Sequence, residues 1–136
     1  RRGRGAGRRC AVRALRQRAY LYHVRLNKCD EAIKLYAMLN EPPSTIWSTA
    51  DCYVRLKKPE SAVAALGEIE SFFERDAPRA ALQKAVVWEQ AGDKVKAIAA
   101  LRGVLKKYPK SAQASQAHQM LERYGVATGG GVIDED

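Results

Sequence analysis

Apolar side chains recur along this chain at steps of three and four, and short polar, proline or glycine segments break the runs they form. That spacing puts them on one face of an α-helix, so the pattern predicts a succession of amphipathic helices. The first begins near Cys10 and carries Val12, Leu15, Ala19, Tyr22 and Leu26 on its inner stripe, until Asn27-Lys28 interrupts it. Asp30 then offers a side-chain oxygen to cap a second helix, from about Glu31 to Leu39, with Ala32, Leu35, Tyr36 and Leu39 inward. Pro42-Pro43 ends it, because a proline disfavours helical geometry at the residue before it. Ser44 or Thr45 caps a third helix, with Ile46, Ala50, Tyr53, Val54 and Leu56 inward. Pro59 suits the first turn of a fourth, which bears Ala62, Val63, Leu66, Ile69 and Phe73.

Asp76-Ala77-Pro78 opens a fifth helix carrying Leu82, Ala85, Val86, Trp88 and Glu89. Gly92-Asp93 supplies a glycine stop and then a cap for a sixth, with Ala97, Ile98, Leu101, Val104, Leu105 and Tyr108. Ser111 opens a seventh, with Ala114, Ala117, Met120, Leu121 and Tyr124 inward and Gln113, Gln116, Gln119, Glu122 and Arg123 outward. A last helix with a polar outer face is what a helical stack needs to close its final apolar surface. Residues 1–9 hold too few apolar side chains to offset the entropy of ordering, so they read as a disordered Arg/Gly leader. Residues 126–136 read as a flexible acidic tail, which leaves 10–125 as the folded region.

Two segments are versions of one unit: Leu56–Leu66 aligns with Ala91–Leu101 at an offset of 35 positions. A period of about 34 residues, with a tight turn between two short helices, belongs to tetratricopeptide arrays. The chain resembles that family over residues 13–124, most closely over 78–109. With the closing proline at Pro109, the third repeat starts at Pro78 and places Ala85, Trp88, Gly92, Ala97 and Leu101 at the family's small, aromatic, turn, small and bulky positions. The second repeat, from Pro43, has Ala50, Tyr53, Ala62 and Leu66 there, with Lys57 in place of the glycine. The first, from near Arg13, fits poorly, with Tyr20 at a small position and His23 at an aromatic one. The pair from Asp93 to Tyr124 is also similar to the terminal repeats of bacterial cell-envelope tetratricopeptide proteins.

The resemblance implies that the first helix of each repeat lines a concave groove. Carried onto this chain, the lining comprises Trp47, Asp51, Val54 and Arg55 in the second repeat and Arg79, Leu82, Gln83, Val86 and Glu89 in the third. Trp47, Leu82 and Val86 would make the trough partly apolar, and the four charged residues would select the ligand, an extended peptide or an amphipathic helix. Equally, Trp47 and Leu82 read as packing residues between repeats. The family's carboxylate clamp is missing, since Gln17, Leu21, Ser48 and Gln83 stand where its residues belong and only Arg79 remains.

Charge and cysteines adjust this picture at the edges. Eight arginines (Arg1, Arg2, Arg4, Arg8, Arg9, Arg13, Arg16 and Arg18) fall within residues 1–18, which hold no acidic residue, so of a formal net charge of +9 everything after residue 18 carries +1. Without an initiating Met the leader reads as truncated or targeting sequence. Its arginines could also hold phosphate through counterion release. The three cysteines include no CxxC pair and no histidine at ligand spacing, so they read as buried free thiols, suited to a reducing, cytoplasmic compartment. The cell-envelope resemblance is the alternative location. His23 and His118 have no nucleophile at local spacing, Asp134-Glu135-Asp136 is too loose to gather a cation, and Gly129-Gly130-Gly131 lacks the lysine of a phosphate loop.

The expectation is therefore all-α: an α-solenoid of about three tetratricopeptide-like hairpins plus a C-terminal capping helix, with no catalytic residue, metal or cofactor. Its function would be that of a protein-interaction scaffold holding a peptide or helix in the groove. The alternative is an RNA-associated protein anchored by Arg1, Arg2, Arg4, Arg8 and Arg9, with the helices as docking platform. Self-association through the poorly matching first repeat is a third reading.

Overall fold

Among the described residues seven α-helices form: α1 Arg2–Tyr20, α2 Cys29–Leu39, α3 Ser44–Arg55, α4 Pro59–Phe72, α5 Ala77–Gln90, α6 Lys94–Lys107 and α7 Ala112–Arg123. A π-helical turn, Leu21–Arg25, extends α1, and a 3₁₀ turn, Glu74–Asp76, precedes α5. The computed structural model describes residues 2–126, and no strand occurs among them. The protein is an all-α helical repeat. Arg1 and the expected acidic tail from residue 127 onward, including Asp134-Glu135-Asp136, lie outside the described residues.

Caps and turns follow local chemistry. Asp93 accepts the amide of Lys96 at 3.0 Å and Ser111 that of Ala114 at 3.1 Å, so α6 and α7 start at the expected side-chain caps. Two other expected caps are not made. α2 starts at Cys29, with Lys28 at its cap and Asp30 inside the first turn, where a carboxylate complements the helix dipole. α3 starts at Ser44 behind Pro43, without a side-chain capping bond. The repeat turns use the left-handed region: Lys57 has φ 62° and its repeat equivalent Gly92 has φ 84°.

The chain divides into two compact units, Arg1–Ala65 and Leu66–Asp136, with the boundary inside α4. In the N-terminal unit α2 packs against both α1 and α3. Its core is Ala19, Cys29, Ala32, Leu35, Tyr36 and Cys52, flanked by Leu15, Tyr22, Ile33, Leu39 and Leu56. In the C-terminal unit α5 and α6 form a hairpin, and α7 packs on both. Its core is Ala81, Leu82, Ala85, Leu101, Val104, Ala117, Met120 and Leu121. Ala85 and Ala97 are fully buried, as close helix approach requires.

Two expectations about the first helix are corrected. It begins at Arg2 rather than near Cys10, so the leader 1–9 is helical from its second residue. Arg and Ala are good helix formers, and extending an existing helix gains a hydrogen bond for each residue fixed, which outweighs the three leader glycines. At the other end, Leu26 is exposed rather than inward, and His23 is buried instead. The π-turn causes this: its wider winding shifts the phase of every side chain after Tyr20.

Candidate functional site

The residues expected to line a groove fall into two groups, one in each unit. On α3, Trp47 and Val54 are half-buried, while Asp51 and Arg55 are exposed and joined by a 3.0 Å ion pair. On α5, Arg79, Gln83 and Glu89 are exposed, Val86 is half-buried and Leu82 is buried. Arg79, Gln83 and Val86, spaced by four and then three, share one helix face. Leu82 belongs to the core of the C-terminal unit.

The charged members of both groups have partners within their own units. Arg79 lies 3.8 Å from Asp76. Glu89 acts on Tyr124 at the end of α7: burial first, and then the hydrogen bond and charge of Glu89, hold that phenol above its ordinary pKa. Asp51 serves a buried histidine. His23 Nε2 and Asp51 Oδ2 are 2.6 Å apart, and His23 Nδ1 and the Tyr36 hydroxyl 2.8 Å. An ionised carboxylate can only accept, so Nε2 carries the hydrogen, and in the neutral imidazole Nδ1 then accepts from Tyr36. Arg55 closes the network by donating from Nε to Asp51 at 3.0 Å and from Nη1 to the backbone carbonyl of His23 at 3.2 Å.

Beside this network lies a grouping that sequence spacing does not reveal. His23, Cys29 and Cys52 are all buried, and one ligand atom from each lies within 4.8 Å of the others. They come from the π-turn, the first residue of α2 and the middle of α3, and no local motif links such positions. Cysteine, histidine and aspartate together resemble a nucleophilic relay, but the environment opposes that use. Cys29 and Cys52 are sealed from solvent, and burial, with the neighbouring Cys29 adding to it, pushes the Cys52 thiol far above its ordinary value. A reactive cysteine needs the opposite. His118 is exposed on α7. Among the arginines of the nucleic-acid alternative, Arg8 and Arg9 are exposed on α1.

The C-terminal unit has a second polar centre that the apolar pattern does not reveal. Glu70, at the end of α4, accepts from Lys84 Nζ of α5 at 2.7 Å and from the Tyr108 hydroxyl at 2.8 Å, with Lys107 Nζ of α6 at 3.8 Å. Burial alone would raise the carboxyl pKa; the two hydrogen bonds and the lysine charges outweigh it, and the net shift is downward. Burial and the same carboxylate push Tyr108 up to about 12. No buried side-chain polar atom among the described residues lacks a partner. Such satisfaction marks a structural tie rather than a poised catalytic group.

Residues 79–111 match the family model of the tetratricopeptide repeat. The matched segment takes in nearly all of α5, the turn at Gly92, the whole of α6 and the closing Tyr108-Pro109. No curated protein and no solved structure matches the chain. Tetratricopeptide repeats are protein-interaction modules, and no helix among the described residues is long and apolar enough to cross a membrane.

Proposed function

We propose that this chain, which carries a tetratricopeptide repeat at residues 79–111, is a non-catalytic scaffold that binds a segment of another protein along the first helices of its repeats. The observation that carries this reading is the α5 face of Arg79, Gln83 and Val86. It lies inside the matched repeat, combines exposed polar groups with a half-buried valine, and is backed by a core fixed by Leu82 and Ala85. A rigid helix face of that composition suits side chains of an extended peptide or an amphipathic helix, with valine as contact area and Arg79 and Gln83 as hydrogen-bond donors. The corresponding surface of α3 is that of Trp47 and Val54, with Asp51 and Arg55 beside them.

The non-catalytic part of the reading rests on the state of the candidate groups. Both buried thiols are shielded, the one buried histidine has both ring nitrogens engaged, and the buried carboxylate Glu70 is held ionised by its partners. The test begins with a partner captured from native lysate, whose bound segment is mapped to a synthetic peptide. Affinity of that peptide is then measured by titration for wild type, Gln83→Ala and Val86→Asp. We expect Val86→Asp to weaken binding at least tenfold while its helical circular-dichroism signal and a cooperative melt are retained. A peptide that binds both variants as tightly as wild type removes α5 as the docking face.

A further inference from the structure

We propose that His23, Cys29 and Cys52 form a binding site for a borderline-soft divalent cation, zinc above all, inside the N-terminal unit. Two thiolates and one imidazole are the ligand set that zinc prefers over oxygen-seeking cations. Distances favour it. Three ligand atoms no more than 4.8 Å apart can share a centre within about 2.8 Å of each, so movements of less than about one ångström reach zinc–sulfur and zinc–nitrogen bond lengths near 2.3 and 2.0 Å. Cys29 opens α2 and His23 lies on the π-turn that extends α1, so two of the three ligands sit near the ends of helical segments.

The surroundings are those of a ligand histidine. Its Nε2–H is committed to the Asp51 carboxylate, which in turn is held by Arg55. A metal-bound histidine commonly donates its other N–H to a carboxylate in this way, which fixes the ring and strengthens the donor nitrogen. Nδ1 is left with the lone pair, at present shared with the Tyr36 hydroxyl at 2.8 Å. On binding, that hydroxyl yields Nδ1 to the ion and is itself the oxygen at hand for the fourth position.

Charge balances as well. Each thiol loses one proton, so one divalent cation enters and two protons leave. Two thiolates neutralise the ion, and the neutral imidazole adds nothing, which a buried site with both cysteines sealed from water requires. Cys10, exposed on α1, is no part of the set and serves as the internal control.

The test uses the full chain, reduced and stripped of metal, titrated with cobalt(II) as an optical substitute for zinc. We expect an intense near-ultraviolet thiolate-to-cobalt band that saturates at one equivalent, is bleached by one equivalent of zinc, and accompanies release of two protons. Cys10→Ser keeps the band in full, and Cys29→Ser and Cys52→Ser each lose half of it or more. The wild-type spectrum decides even where a variant fails to fold. Absence of the band under excess cobalt overturns the proposal, and so does a band that Cys10→Ser abolishes or that both buried-cysteine variants retain.

Discussion

Lys57 and Gly92 hold the same position in successive repeats, and both have positive φ, 62° and 84°. A side chain in the left-handed region crowds the following carbonyl at a cost of roughly 1–2 kcal/mol, which glycine escapes. A Cβ at Gly92 would meet no heavy atom within 4 Å, so the penalty for Gly92→Ala is conformational alone. Gly92→Ala should therefore destabilise by about 1 kcal/mol, and Lys57→Gly should stabilise by a somewhat smaller amount, read from denaturant midpoints. Equal midpoints for all three proteins would mean that these turns relax without strain. The glycine missing from the second repeat is legible in the sequence, because the repeat alignment points to the place where it is wanted. Burial of His23 is not legible, because it follows from a π-turn that has no local sequence mark.

Single helices were the most readable level, and ties between helices the least. Six of the seven helices begin within a few residues of the expected place, because apolar period, proline and glycine are local signals. The Glu70 centre joins α4, α5 and α6 through residues distant in sequence, and no period marks it. It carries a definite pH signature. The folded-state pKa of Glu70 is depressed, so its contribution to stability is present above the unfolded-state pKa and is lost as pH falls through the folded-state value. Glu70→Gln keeps the shape but removes the charge, and the side chain is only 10% exposed. At neutral pH it should cost about 1–3 kcal/mol, as for a hydrogen bond to a charged group. On acidification the gap should narrow, since wild type then loses the same charge. Parallel stability curves for the two proteins from pH 7 to pH 3 would detach Glu70 from the acid response.

Across the whole molecule, charge is the most uneven property. Eight of the nine net positive charges precede residue 19, seven of them on α1, which also contributes Ala19 to the N-terminal core and packs Leu15 against it. Deleting residues 1–18 would therefore remove core packing together with charge, and also the Arg16 guanidinium that bonds both oxygens of Glu41 at 2.9 Å. Exchanging Arg8, Arg9 and Arg13 for glutamine separates the two effects, because all three are exposed and glutamine is a good helix former. If polyanion binding is only counterion release, affinity for a single-stranded RNA of arbitrary sequence falls steeply between 50 and 200 mM salt. The triple variant should then flatten the logarithmic salt slope by up to about two, at roughly 0.7 per neutralised phosphate. Melting temperature should stay within a few degrees of wild type. RNA affinity that survives the triple exchange with its salt slope intact would show that Arg8, Arg9 and Arg13 are not the anchor and would count against the RNA-associated reading.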